Sequence, residues 1–276
     1  MSAQSDPIAA DIRDVIFQGI SEKKIRATIW SRDNGILAGS GRFTRKAEEL
    51  GLVVNSLLCD GDEVRAKGTI ALIEGMPKHI SLAEDSLLGL IAKTSGIATA
   101  ARKAVVLSGK KIKIVSGGWK KVPHQIKDDI REAVMIGGAG VRMTDEPFVY
   151  LDKNYVRMLG GISPALRSVA RFNDRAKVVQ IRGETGEISI EAILAVGCGA
   201  DIVMVDTGNI SDLQLVSEAL RGEGLRGTVK IAFGGSIQIE DIPRFLDMDV
   251  DILDIGRAII DAPMLDIRLD VEVAKQ

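Results

Sequence analysis

The sequence predicts an α/β protein whose larger part is a closed or nearly closed barrel of parallel strands, preceded by a smaller β-rich layer. From Lys111 onward, short apolar runs end at Gly or Asp and are followed by longer amphipathic stretches, the alternation of parallel strands with crossover helices. The 29 glycines gather at the ends of apolar runs while aromatic residues are only 4%, which suits a barrel with tight turns between strand and helix. Between residues 24 and 75 the apolar runs are instead separated by turn signals such as Asp33-Asn34-Gly35 and Asp60-Gly61-Asp62, the mark of short consecutive strands.

Taken in order, KIRATIW (24–30), GILAG (35–39), LVVNSLLCDGDEV (52–64) and GTIALIEG (68–75) are the strand candidates of the first layer. Residues 81–108 carry apolar side chains at helical spacing (Leu82, Leu87, Leu88, Ile91, Ala92, Ile97, Ala98, Ala101, Val105) with a soft break at Ser95-Gly96, so one or two helices follow. The barrel strands are expected at Ile112–Val115, Ala133–Ile136, Phe148–Leu151, Val178–Ile181, Ile202–Val205, Val229–Phe233 and Ile252–Ile255.

Composition removes several classes of function. A chain of 276 residues can bury a core without staples, and 36 basic against 38 acidic side chains offer no basic surface for nucleic acid. Cys59 and Cys198 are too few for a disulfide framework or a zinc cluster, which fits a reducing cytoplasm. The opening MSAQSDPIAADIRDVIF has no basic segment leading into an apolar core, and no apolar stretch approaches about 18 residues, so neither secretion nor a membrane span is expected.

In a barrel of this kind the chemistry sits where the strands end at their carboxyl side. The residues there are Ser116-Gly117-Gly118-Trp119-Lys120-Lys121, Gly137-Gly138-Ala139-Gly140-Val141-Arg142, Asp152-Lys153-Asn154, Gln180 with Arg182, Asp206-Thr207-Gly208-Asn209, Gly234-Gly235-Ser236 and Gly256-Arg257. The last two turns suggest a phosphate site at Gly234, Gly235, Ser236, Gly256 and Arg257, because glycines let backbone N–H groups approach an anion closely. The competing reading is that these glycines only make tight turns.

At these residues the chain resembles the quinolinate phosphoribosyltransferase family, also called carboxylating nicotinate-nucleotide pyrophosphorylase. GILAG (35–39), DGDEVRAKGTIALIEG (60–75), TSGIATAARKAV (94–105), GADIVMVD (199–206), IAFGGSI (231–237) and DILDIGRAIIDAPMLDIRLDV (251–271) carry the likeness in order. The resemblance implies an N-terminal open-faced α/β sandwich over residues 1–109, to which 266–276 return, and an α/β barrel of six or seven parallel strands over 110–265. It also implies a homodimer or higher homo-oligomer with shared active sites, 5-phosphoribosyl 1-pyrophosphate with Mg2+, and transfer of the phosphoribosyl group to the ring nitrogen of quinolinate.

The departures are concentrated. The family's Glu-Arg-Thr triplet is Glu84-Asp85-Ser86 here, and its Asp-Thr-Arg-Lys-Thr run is Gly117-Gly118-Trp119-Lys120-Lys121. Its His-Arg pair becomes Val141-Arg142, its Lys-Asp-Asn-His becomes Asp152-Lys153-Asn154-Tyr155, and its Val-Glu-Val strand becomes Val179-Gln180-Ile181. A dianionic base needs converging positive charge, since burying a carboxylate unpaired costs several kcal/mol; quinolinate is therefore not the expected substrate.

Two readings follow. In the first, a phosphoribosyltransferase takes a neutral or cationic base. Trp119 stacks on its ring, Asp85 or Asp152 pairs with a nitrogen substituent, and Gln180 lies beside the substrate. Asp206 stabilises the cationic ribose, while Lys120, Lys153 and Arg142 face the pyrophosphate, and Asp206 with Glu184 holds the metal. In the second, a binding or regulatory barrel keeps a phosphorylated ligand without turnover, as Gln180 in place of a glutamate suggests, because an amide is a poor magnesium ligand.

Plainer readings compete residue by residue. His79 and His124 lack any zinc spacing, Trp119 also suits packing under a loop, and Trp30 suits the core. Lys120-Lys121 also suits a solvated turn, Arg102 and Lys103 suit exposed helix charge, and Asp60-Gly61-Asp62 reads as a β-turn.

Overall fold

In the computed structural model, which describes residues 11–109 and 111–272, the chain folds as two compact units. Of the described residues, one holds 11–98 with 263–272 and the other 99–109 with 111–262. The first opens with a short helix, α1 (Ile12–Ile16), capped by the Asp11 carboxylate, and contains strands β1 (Ile25–Ser31), β2 (Gly35–Ile36), β3 (Val53–Leu57), β4 (Glu63–Val64) and β5 (Thr69–Gly75). Along β1 burial alternates, with Ala27, Ile29 and Ser31 buried, Thr28 and Trp30 half-buried between them and Arg26 exposed before them, as the two-residue period of a strand with one packed face requires.

The packed face is covered by two helices. α2 (Ser40–Glu49) presents Phe43 and Ala47, and α3 (Pro77–Leu107) presents Ile80, Ala83, Leu87 and Ile91 at helical spacing to the same core. Trp30, expected in the core, lies on the other face, half-buried, and its indole N–H donates to Asp270 at 2.6 Å. The turn at 60–62 has a structural purpose, since the Asp60 carboxylate accepts from the N–H groups of Gly39 and Ser40 (2.7 and 2.9 Å) and so caps α2.

No break occurs at Ser95-Gly96. The Thr94 hydroxyl donates to the Ala38 carbonyl, and the Ser95 hydroxyl accepts from the Ala38 N–H. A Cβ on Gly96 would stand 2.0 Å from the Pro263 carbonyl oxygen. The small polar residues that weaken the helical pattern are therefore those that let two backbones meet on α3.

In the second unit six strands form one parallel sheet: β6 (Lys113–Val115), β7 (Phe148–Leu151), β8 (Ala176–Ile181), β9 (Ile202–Asp206), β10 (Lys230–Gly234) and β11 (Ile252–Asp254), in the order β6-β11-β10-β9-β8-β7. Gly140 adds a parallel bridge to Val115 on the other edge of β6. Val115, Val178, Ile202, Met204, Ala232 and Ile252 form a common core with Phe148 and Tyr150 packed against it, which is the filled interior of a barrel.

The expected strand at Ala133–Ile136 is instead the last turn of a helix, α4 (Lys127–Ile136). Its buried residues Ile130, Ala133 and Val134 follow helical spacing, and Asp128 and Asp129 occupy the first turn, where acids favour the helix dipole. The strand's place is reduced to the bridge at Gly140. Outside the sheet run α5 (Lys153–Leu159), α6 (Ile162–Ser168), α7 (Ile188–Gly197), α8 (Ile210–Gly222) and the single turn α9 (Arg257–Ile260). A last strand, β12 (Ile267–Val271), pairs antiparallel with β1.

Candidate active site

Strand register determines which side chains share the barrel mouth. Gly234 is paired with Asp206 on one side and Asp254 on the other, so both carboxylates flank a residue that has no side chain. The pairings Gln180 with Met204 and Tyr150 with Val178 extend the same inward set. Two-residue alternation from the core residues Met204, Ala232 and Ile252 brings Asp206, Gly234 and Asp254 to the top layer, with Gln180 and Tyr150 below.

The carboxylates are held differently. Asp206 accepts from the Gln180 amide and from the Arg182 guanidinium, the latter on Oδ2 at 2.8 Å, and Arg182 also donates to the Asp206 carbonyl. The Gln180 carbonyl in turn accepts from the Lys153 N–H at 2.7 Å. Asp254 Oδ1 accepts from the Gly117 N–H at 2.8 Å. Burial pushes the Asp254 carboxyl above the ordinary aspartate range, and the nearby Asp206 pushes the same way against the Gly117 N–H and Lys120. Asp152 caps α5, accepting from the N–H groups of Asn154 and Tyr155.

Tyr150 sits among these acids. Burial, then Asp254, Asp206 and Asp152, raise its hydroxyl above the usual tyrosine value, so it stays protonated. The Lys120 ammonium lies 4.8 Å from the centre of its ring, a cation–π distance.

The two turns expected to bind phosphate press on one another. The Gly208 N–H donates to the Gly234 carbonyl at 3.0 Å, and a Cβ on Gly235 would stand 2.4 Å from the Gly208 nitrogen. Gly235 (φ +113°) and Ser236 (φ +57°) both have left-handed backbone, and Ser236 has no glycine freedom to excuse it. The N–H groups of Gly235 and Ser236 find no acceptor among the described residues. Gly256 begins the next turn, and a Cβ on Gly118 would stand 3.1 Å from its carbonyl.

Of the residues singled out from the sequence, Lys120, Asp152, Lys153, Gln180 and Asp206 gather at one mouth, with the Gly234-Gly235-Ser236 and Gly256 turns at its strand ends. The other candidates make contacts of their own. Asp85 is exposed on α3 in the first unit. Trp119 donates its indole N–H to the Val141 carbonyl (3.3 Å) while the Arg131 guanidinium covers its ring at 4.8 Å. Arg142 is exposed and lines a groove of about 600 Å³ with Val105, Lys113, Arg131, Met135 and Asp145. The Arg257 side chain is 88% exposed and pairs with Asp261.

Tyr150, Arg182 and Asp254 were not chosen as site residues from the sequence. Arg182 and Asp254 do stand at the ends of strand candidates, and the signal that finds them is cross-strand register with Asp206 and Gly234.

The magnesium that the resemblance implies does not fit the two carboxylates assigned to it. Asp206 Oδ2 already takes Arg182 and Gln180, and Glu184 is bound by Arg157 through two hydrogen bonds of 2.7 Å and by Arg182 at 3.3 Å. Nitrogen donors thus stand where a hard cation would need oxygen ligands.

Comparison with known proteins adds independent findings. The family model described as Quinolinate phosphoribosyl transferase, C-terminal domain, matches residues 97–270, and the corresponding N-terminal domain matches residues 11–95. A probable nicotinate-nucleotide pyrophosphorylase (carboxylating) of Archaeoglobus fulgidus is 29% identical over 254 residues, covering 91% of this chain and 96% of the relative. The nicotinate-nucleotide pyrophosphorylase (carboxylating) of Homo sapiens is 26% identical over 88% of this chain and 81% of its own length. Among solved structures, the nicotinate-nucleotide pyrophosphorylases of Pyrococcus furiosus and Francisella tularensis share the fold. Their TM-scores are 0.81 and 0.80 at 24% identity, covering 95% and 97% of this chain and 75% and 92% of theirs.

Proposed function

The chain belongs to the quinolinate phosphoribosyl transferase family, and from that premise we propose that it transfers the phosphoribosyl group of 5-phosphoribosyl 1-pyrophosphate to a heterocyclic base other than quinolinate. One observation supports the choice of base: Asp152, Asp206 and Asp254 all act on the half-buried Tyr150, so carboxylates converge on the part of the mouth beside Tyr150, where a dianion would need cations. A base with an amino group or a positive charge pairs with such a mouth, whereas each unpaired carboxylate of quinolinate would cost several kcal/mol.

The residues then divide the work. The N–H groups of Gly235 and Ser236, with the Gly256 turn, receive the ribose phosphate, since their donors are free to meet an anion. Asp206, held by Gln180 and Arg182, faces the ribose carbon as positive charge develops there, and its fixed orientation spares reorganisation during the reaction. Lys120 and Lys153 supply cations to the departing pyrophosphate. Asp254 and Asp152 receive the nitrogen substituent of the base, with Tyr150 closing the floor. We propose the same setting as the family resemblance implies: a homodimer or larger assembly in the cytoplasm, which sedimentation of the purified protein would test.

A second reading is favoured by Gln180 and by the saturation of Asp206: a barrel that binds a phosphorylated ligand without turnover. Calorimetric titration with 5-phosphoribosyl 1-pyrophosphate, followed by pyrophosphate release assays against quinolinate and a panel of amino and neutral heterocycles, separates the two. Donor binding with release on an amino or neutral base supports the transferase. Donor binding without release on any base supports the second reading, release on quinolinate overturns the proposed base, and no donor binding removes both.

A further inference from the structure

Arg182 is the most heavily committed charge at the mouth. Its N–H donates to Glu191 at 3.0 Å, its guanidinium donates to the Asp206 carbonyl and carboxylate, and its Nε lies 3.3 Å from Glu184. One planar cation therefore bridges the two carboxylates that a divalent metal would be expected to use, and the fork geometry of guanidinium suits carboxylate oxygens in a way that a point charge does not. Arg157 completes the coverage of Glu184. The neutral Gln180 amide adds a further donor to Asp206 Oδ2.

We infer that Arg182 takes the place of a divalent cation at Asp206, so that Asp206 and Glu184 recruit no metal and any metal at the mouth is held by the phosphates of the ligand. A Mg2+ ion beside Arg182 on Asp206 would meet like charge at contact distance and lack the oxygen ligands of its octahedral shell. Removing the guanidinium should uncover Asp206, while Arg157 still holds Glu184. The inference goes beyond the proposed transferase reaction and does not depend on turnover.

The test is titration of the protein with Mn2+ alone, followed by electron paramagnetic resonance of the free ion, and the quantity read is the difference between a protein and its Asp206→Asn counterpart. The full chain should show no difference, because Asp206 binds no metal while Arg182 covers it. Arg182→Gln should gain Mn2+ affinity by about tenfold or more over Arg182→Gln with Asp206→Asn, whereas Arg182→Lys, which keeps the charge, should gain none. Circular dichroism establishes that each variant folds, and Arg182→Met, which keeps the stem, replaces Arg182→Gln if that variant does not. Asp206-dependent Mn2+ binding by the unaltered chain overturns the inference. So does a failure of the folded charge-free variant to gain it.

Discussion

Asp254 is an acid placed where its charge is unwelcome. Burial and the neighbouring Asp206 raise its folded pKa above the unfolded value, against the opposing Gly117 N–H, Lys120 and Lys121. A carboxyl shifted in this direction contributes its stability fully below the unfolded pKa and loses it as pH rises through the folded pKa. Asp254→Asn keeps an oxygen to accept from Gly117 and removes the charge. The variant is expected to melt at a higher temperature than the unaltered chain at pH 7, with the gap closing as pH falls to the ordinary aspartate range. Differential scanning calorimetry across pH 3–8 checks it, and a gap that is absent at pH 7 or widens towards low pH would refute the assignment. The same charge is what the proposed base would neutralise, so the position trades stability for recognition.

At the scale of elements, the segment after β8 owes its shape to a single side chain of α7. Glu191 is buried and accepts from the N–H groups of Arg182, Gly183 and Thr185 and from the Thr185 hydroxyl, at 2.7–3.0 Å. Glu191→Ala would strand these donors, and with roughly 1–3 kcal/mol for each buried group left unpaired, a net loss of about 2–4 kcal/mol is expected once water reaches some of them. Urea unfolding measures it, and a change below about 0.5 kcal/mol would show that the loop holds itself. The β10 turn allows a companion prediction. Gly235→Ala adds a Cβ 2.4 Å from the Gly208 nitrogen at φ +113°, so it should lose donor binding in calorimetry by about tenfold or more. A backbone misplaced at the phosphate cannot be compensated by side chains.

These two elements were not equally legible. The β10 turn announces itself through consecutive glycines after an apolar run, whereas Glu191 is one acid among many in a helix pattern and its meaning appears only with the loop above it. The helix α2 escaped notice because only Phe43 and Ala47 of its ten residues are buried. That leaves too weak an apolar period among neighbouring strands. Ala133–Ile136 misled in the opposite way, its four apolar residues reading as a strand when they close a helix.

For the whole molecule, the six parallel strands were readable because each apolar run gives way within two residues to Gly, Asp or a charge, and the alternation leaves few topologies. What the sequence withholds is register, since one residue of slip exchanges the faces of a strand; Tyr150, Asp254 and Arg182 became site residues only when the pairings were known. The return of β12 to β1 carries a last prediction about how far the chain's end sustains its beginning. Deleting residues 263–276 would remove Leu265 and Ile267 from the first unit's core and the Leu265 N–H to Ala92 hydrogen bond. It would also bare the β1 edge from Ala27 to Ser31. Two buried aliphatic side chains are worth about 1.5–3 kcal/mol each, and an uncovered strand edge invites association. The shortened chain should unfold at a lower urea concentration, by about 3–6 kcal/mol in all, and should aggregate on concentration. The milder Gly96→Ala, whose Cβ would meet the Pro263 carbonyl, should shift the midpoint in the same direction by less. An unchanged midpoint for the shortened chain would mean that the four-stranded sheet β12-β1-β5-β3 does not need its last strand, and that the returning segment serves something other than stability.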